Sequence, residues 1–223
     1  MKTLAIVGYG KMGRMVETFA PSYGFTTIIK VDQHDPLMAV AEADVAIEFT
    51  TPAAAPGNLR KLAEMRVPTV CGTTGWFNEI PSIQKAYDDA GTPLVWSPNF
   101  SIGVNIFFKL AEEAGRILAN YEDYGAWAWE IHHSAKKDAP SGTLLRTVEL
   151  MKAAGFKRPI DISSNRAGLI PGTHEIGFDC AADTITLQHT ARSREGFARG
   201  ALEAARWIEG KSGVHEFREI LFG

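Results

Sequence analysis

The sequence predicts an α/β chain in two parts, a doubly wound parallel sheet followed by a smaller α+β region with an open mixed sheet. Three observations carry that reading. Up to Pro98, apolar runs of strand length alternate with helical patterns, the arrangement that covers a parallel sheet on both faces. A glycine-rich turn joins the first apolar run to the first helical pattern. After Pro98 the character changes, and Ala126-Trp127-Ala128-Trp129-Glu130-Ile131 alternates with the period of two that belongs to a strand.

In chain order, residues 4–7 read as the first strand and 12–19 as its helix. Further strands are expected at 26–31, 45–49, 67–71 and 94–97, with helices at 53–65 and 80–90. In the second part, 104–118 is an amphipathic helix, 126–131 a strand and 143–154 a helix. Residues 173–179 and 184–189 are two strands joined by the Ala181-Ala182-Asp183 turn. A last helix, 200–208, is expected to pack back on the first part. The predicted domains are therefore 1–101 with 195–223, and 102–194.

Bulk properties narrow the function classes. The 223 residues, 45% hydrophobic and 22% charged, suffice for one substantial core or two modest ones. A net charge of -3 gives no pull toward nucleic acid or an anionic membrane. Cys71 and Cys180, far apart and in apolar settings, indicate neither a disulfide framework nor a cysteine metal site, and suit a reducing, cytoplasmic location. No signal-peptide pattern opens the chain. Nowhere do about 18 apolar residues run together, so no membrane span is expected.

Gly8-Tyr9-Gly10-Lys11-Met12-Gly13 fits G-x-G-x-x-G directly after a strand and at the opening of a helix. There glycines permit a tight turn and let a pyrophosphate approach the helix amides. That context makes the first part Rossmann-like and dinucleotide-binding. Asp32 lies at the end of the second strand, where an acidic side chain would hold the adenosine ribose; a plain turn-starting Asp is the alternative. Gly72-Thr73-Thr74-Gly75 follows the fourth strand, so its amides belong at the carboxyl edge of the sheet, either near a nicotinamide ribose or as an ordinary turn.

The chemistry concentrates in Glu130-Ile131-His132-His133-Ser134-Ala135-Lys136-Lys137-Asp138-Ala139-Pro140-Ser141-Gly142-Thr143. This string combines imidazoles that titrate near neutrality, fixed cations, and a turn that opens a helix and offers amides to an anion. Together these suit a carboxylate substrate that must also receive a proton. Taken singly, adjacent histidines on a strand face opposite ways, a Lys-Lys pair is usually solvated, and Pro-Ser-Gly-Thr can be a helix cap. A metal set from His132, His133, His174 and His189 matches no H-E-x-x-H or Cys/His pattern, so no metal is expected.

The whole string resembles the E-x-H-H-x-x-K-x-D-A-P-S-G-T signature of the dihydrodipicolinate reductase family. Glu48-Phe49-Thr50 is similar to that family's D-F-T, with Glu for Asp, and Gly72-Thr73-Thr74-Gly75 to its G-T-T-G. Ser97-Pro98-Asn99-Phe100-Ser101-Ile102-Gly103 is similar to x-x-N-F-S-x-G, and Gly172-Thr173-His174-Glu175 to G-x-H-E. The glycine loop is one residue shorter than the common form.

The resemblance implies NADH- or NADPH-dependent reduction of 4-hydroxy-tetrahydrodipicolinate, a dicarboxylate, by a homotetramer. It implies His132 as general acid, Lys136 as the substrate-holding cation, and His133, Ser141, Gly142 and Thr143 as substrate contacts. Gly8, Gly10, Lys11, Met12, Gly13 and Asp32 would take the adenosine half of the dinucleotide. Gly72, Thr73, Thr74, Asn99 and Phe100 would lie near the nicotinamide, with Arg194 and Phe197 closing over it. The two domains would close on each other during reaction. Two other classes share part of the pattern: a homoserine- or sugar-type dehydrogenase, which lacks the His-His, Lys and Pro-Ser-Gly-Thr string, and a dinucleotide-sensing regulator, which would need a basic recognition element not visible here.

Overall fold

The computed structural model describes residues 2–223. The chain divides into two compact units, residues up to Ser101 together with Glu195–Gly223, and Ile102–Arg194.

The first unit is a six-stranded, wholly parallel sheet. Its strands are β1 (Lys2–Val7), β2 (Phe25–Val31), β3 (Val45–Glu48), β4 (Thr69–Cys71), β5 (Leu94–Trp96) and β10 (Val214–Glu216), laid side by side in the order β10-β5-β4-β3-β1-β2. The central strands read as unbroken apolar runs because both of their faces are covered. Ala5, Val7 and Ala46 pack with Leu62 of helix α2 (Ala55–Glu64), while Cys71 and Leu94 pack with Leu59 and with Ile83 and Tyr87 of α3 (Ile80–Ala90). Ile6, on the other face, meets helix α1 (Lys11–Phe19) at Gly13. Beside α1 runs α6 (Glu195–Trp207), which also packs on β3 and β4.

The second unit is a four-stranded mixed sheet in the order β7-β6-β8-β9, formed by β6 (Gly125–His132), β7 (Ile160–Arg166), β8 (Thr173–Asp179) and β9 (Thr184–Thr190). β6 runs parallel to β7 and antiparallel to β8, and β8 is antiparallel to β9. The turn expected at residues 181–183 closes this last pair, with the Cys180 amide donating to the Asp183 carbonyl at 3.0 Å. Helices α4 (Ile102–Leu118) and α5 (Gly142–Ala153) pack on each other, and their Phe107, Phe108, Leu144 and Met151 share a core with Ala126, Ala128, Ile176 and Phe178.

Where sequence and structure differ, local chemistry explains it. The fourth strand starts at Thr69 because Pro68 has no amide to donate, although its carbonyl takes the Ala46 amide at 2.8 Å. The last long helix begins at Glu195, ahead of the expected residue 200, with its polar first turn carrying the Glu195–Arg199 pair. β7, β10 and the short C-terminal α7 (Phe217–Phe222) escape the sequence reading. β7 is an edge strand, largely exposed and polar, so it shows no apolar alternation.

Candidate functional site

Two groups of candidate functional residues emerge, one in each unit. In the first, the end of β1 turns into α1 through Gly8-Tyr9-Gly10. Gly8 has φ +93°, and a Cβ there would lie 2.1 Å from the Phe49 carbonyl oxygen; a Cβ at Gly13 would lie 2.3 Å from the Gly8 oxygen. Both positions therefore demand glycine. Gly10 has nothing within 4 Å of where its Cβ would stand, and it gives α1 no capping side chain, nor is there an acidic residue in the first turn. The helix start thus presents amides and a positive dipole end to open space, which fits a dinucleotide pyrophosphate. Lys11 is exposed there and Met12 half-buried.

Asp32 is exposed just past β2. Its Oδ1 accepts the Gln33 amide at 2.9 Å, and its own amide donates to Asp35 Oδ2 at 2.9 Å, so it both starts a turn and points a carboxylate toward solvent. The loop Gly72–Gly75 follows β4 as expected: Thr73 is buried, its Oγ1 accepting the Thr50 amide at 2.7 Å, and Thr74 is exposed. Asn99 Oδ1 accepts the Ser101 amide at 2.9 Å. Phe100 is different. Its ring is buried against Phe217, with centroids 4.8 Å apart, and its carbonyl oxygen lies 1.7 Å from where a Cβ of Gly200 would be, so ring and carbonyl are both taken up by packing. Arg194 is exposed and Phe197 half-buried.

In the second unit, strand alternation and register do the assembling. The inward face of β6 carries Ala126, Ala128, Glu130 and His132 in succession, so the period that fills the core near its start buries two titratable groups near its end. Register sets Ser164 of β7 and His174 of β8 on either side of Glu130, with His189 of β9 beyond His174. Arg166 lies opposite His132. The result is a polar row across one sheet, facing the helix layer.

Glu130, fully buried, is the hub. Its carboxylate accepts the Ser141 amide at 2.8 Å, the Ser141 hydroxyl, the Ser164 hydroxyl at 3.0 Å and Arg166 Nη2 at 2.9 Å. Burial pushes this carboxyl up, but the donors from Ser141, Arg166 and Ser164 outweigh it and hold the group below the usual carboxylate range. The remaining neighbours are His132 Nδ1 at 3.6 Å and His174 Nε2 at 3.4 Å, the two rings meeting edge to face with centroids 4.9 Å apart. Glu130, His132 and His174 bring their ligating atoms within 4.8 Å of one another, a cluster that could hold a metal ion. It differs from the four-histidine set considered from sequence: neither His133 nor His189 is in it, and Glu130 is.

Burial lowers the His132 pKa from its ordinary value, with Lys136 and Arg166 acting the same way and Glu130 opposing. His174 is driven down to about 4, mainly by burial and then by His132. Both imidazoles are therefore neutral at neutral pH. His132 is tucked against Gly172, where a Cβ would lie 2.8 Å from its Nε2.

The rim of this cluster is the segment before α5. Lys136 is half-buried and its Nζ donates to both Asp138 carboxylate oxygens, at 2.7 and 2.9 Å, which holds the Asp138 carboxyl below its usual range. Ser141 is the N-cap of α5, accepting the Leu144 amide at 3.2 Å while donating to Glu130. Its hydroxyl is thus fully engaged, which favours the cap over direct ligand contact. Gly142 is exposed and Thr143 half-buried at the helix start, and His133 is half-buried on the outward side of the strand end. Glu130, His174 and Arg166 join the candidate site without having been assigned catalytic or binding roles from sequence, although Glu130 and His174 stand inside the strings that carried the resemblance.

Family models for dihydrodipicolinate reductase match nearly the whole chain, the N-terminal model over residues 2–100 and the C-terminal one over 103–221. The chain belongs to the dihydrodipicolinate reductase family. A 4-hydroxy-tetrahydrodipicolinate reductase of Christiangramia forsetii is 33% identical, the alignment covering 98% of this chain and 97% of that one. One of the same name from Methanoregula boonei is 36% identical over 87% of this chain and 81% of its own length. A dipicolinate-bound dihydrodipicolinate reductase from a Paenisporosarcina species shares the fold, with a TM-score of 0.81 at 21% identity and 99% of both chains covered. More distant likeness extends to an aspartate dehydrogenase of Thermotoga maritima, 11% identical with a TM-score of 0.54, covering 95% of this chain and 98% of that one.

Proposed function

We propose that this chain reduces 4-hydroxy-tetrahydrodipicolinate to tetrahydrodipicolinate, a step of lysine and diaminopimelate biosynthesis, at the expense of NADH or NADPH. The observation that carries the reading is the buried Glu130–His132–His174 row rimmed by Lys136, Gly142 and Thr143, in a chain matched by both models of the reductase family. Gly8, Gly10, Lys11, Met12 and Gly13 hold the dinucleotide's pyrophosphate end, Asp32 its adenosine ribose, and Gly72, Thr73, Thr74 and Asn99 its nicotinamide half, with Phe100 packed behind them. The bound dinucleotide supplies a hydride to the ring carbon that loss of water leaves electron-poor by conjugation.

His132 then gives a proton to the electron-rich enamine. In the free chain this imidazole is neutral, because burial disfavours its charge. A substrate bearing two carboxylates brings negative charge beside the ring and raises its affinity for a proton, so His132 is charged as substrate binds. Lys136 exchanges Asp138 for a substrate carboxylate. The exchange costs little, since a partly exposed ion pair contributes on the order of 1 kcal/mol or less. Gly142 and Thr143 take the carboxylate at the helix start, Ser141 holds that turn in place through Glu130, and His133 completes the pocket wall.

The same proposal places the chain in the cytoplasm, where Cys71 and Cys180 remain free thiols, and assembles it as a homotetramer. The face of β6 away from the helices bears Trp127 and Trp129, both half-buried, which supplies the aromatic surface such an assembly would cover. The test of the activity is nicotinamide oxidation with substrate generated from pyruvate and aspartate semialdehyde by the enzyme of the preceding step. Oxidation that requires both precursors is the expected result; none with this substrate, but turnover of aspartate semialdehyde alone, overturns the reading.

A further inference from the structure

Beneath the glycine turns of the first unit lies a buried carboxylate to which the proposed reaction gives no part. Glu48 ends β3 and is fully buried. Three donors converge on it: the Thr50 hydroxyl, Asn58 Nδ2 at 3.4 Å and the Cys71 thiol at 3.2 Å. Cys71 is its register partner on β4, so the two side chains stand on the same face of the sheet. Burial pushes the Cys71 thiol up, with the Glu48 charge adding to it, so the thiol keeps its proton and remains a donor. A buried carboxylate persists only where several donors hold it, and here the donors lead outward to the two turns.

Thr50 is the first link. Its hydroxyl is bound to Glu48 and its amide donates to Thr73 Oγ1 at 2.7 Å, while the Thr73 carbonyl accepts the Trp76 indole N–H at 2.8 Å. Phe49, between Glu48 and Thr50, is a wedge with two faces. Its carbonyl oxygen lies 2.1 Å from where a Cβ of Gly8 would be, and its ring 2.0 Å from where a Cβ of Gly72 would be. One tripeptide therefore braces both the pyrophosphate turn and the Gly72–Gly75 turn.

We infer that Glu48 is a positioning residue for the dinucleotide: it locks Thr50, and through it Phe49 and Thr73, so that both turns hold their ligand-ready shape before the ligand arrives. The inference rests on the dinucleotide reading of this unit. Turns already in the bound shape spare the ligand the ordering cost, which makes Glu48 a determinant of affinity without touching the ligand. Leucine at this position would remove both acceptor oxygens and release Thr50, whereas glutamine keeps one oxygen for Thr50 and Asn58 and loses only the one that takes the Cys71 thiol.

The test is titration of the full chain with NADH, followed by nicotinamide fluorescence, beside a thermal melt of each variant. Glu48→Leu and Thr50→Val should each weaken NADH binding about tenfold, whereas Thr50→Ser, which keeps the hydroxyl, should bind close to wild type. If the wild-type chain binds NADH and both variants bind it equally well while only their melting temperatures fall, Glu48 is a structural carboxylate and the inference is overturned. Should Glu48→Leu fail to fold, Thr50→Val decides alone. A wild-type chain that binds no dinucleotide removes the underlying reading, and the inference with it.

Discussion

At the end of β1 a ligand would meet backbone, whereas at the end of β6 it would meet side chains. The first region is built by exclusion: Gly8 and Gly13 leave no room for a Cβ, and α1 opens uncapped. The second is built by convergence, with Glu130 drawing Ser141, Ser164 and Arg166 onto one carboxylate and two neutral imidazoles left alongside. A backbone site recognises a shape and a charge that many dinucleotides share. A buried side-chain row can hold or release a proton, and that is where a particular reaction is specified.

Breaking the second region at its proton donor should have the largest effect. His132→Gln keeps a polar group of similar reach but cannot deliver a proton, so kcat should fall roughly a hundredfold to ten-thousandfold, measured by steady-state kinetics at saturating NADH. NADH affinity should survive, because the proposed dinucleotide site lies in the other unit. Near-normal kcat in this variant would make His132 structural.

The neutral imidazoles tie this region to stability. His174 titrates at about 4 in the folded chain, against an ordinary 6.5. As pH falls below 6.5 the unfolded chain takes up the proton first, so stability that is complete above 6.5 drains away down to about 4, on the order of 3 kcal/mol in all. Urea midpoints should therefore drop between neutral and mildly acidic pH, and His174→Gln should flatten that drop. An equally steep loss in the variant would place the acid sensitivity elsewhere.

The rim should respond more modestly. Thr143→Val removes one hydroxyl bond to a charged ligand at near-constant volume, worth roughly 1.5 to 3 kcal/mol in the inhibition constant of pyridine-2,6-dicarboxylate. Unchanged inhibition would mean that the start of α5 is only a capped helix. The backbone region should show the smallest preference. Asp32 offers a carboxylate where a 2′-phosphate would lie and Lys11 a compensating cation, so NADH should be favoured, with kcat/KM within about tenfold, or 1.4 kcal/mol, of NADPH. A larger preference for NADPH would show that another cation near the loop receives the phosphate.

The backbone region was the more legible of the two in sequence, since a tight turn writes itself as glycines at fixed spacing after an apolar run. Its supporting carboxylate was not: Glu48 stood out only as a departure from D-F-T, and nothing local says that Cys71 lies beside it across the sheet. The alternation of residues 126–131 foretold β6, but the roles of Glu130, His174 and Arg166 depend on which strand pairs with which and in what register. β7, which supplies Ser164 and Arg166, is too polar to read as a strand. Ser141 was legible as a helix start and as an anion contact alike, and only its bonds to Glu130 and Leu144 separate the two. Phe100 fell within a similar motif, yet its ring belongs to the packing against Phe217.

The pH dependence of turnover reports most directly on proton delivery by His132. Burial holds the free His132 imidazole below its ordinary 6.5, so kcat/KM should fall as pH rises through a break below that value. The break in kcat should lie at higher pH, because bound dicarboxylate favours the charged ring. In His132→Gln this descending limb should vanish from both profiles. The same limb, unshifted in the variant, would contradict the claim that the proton passes through His132.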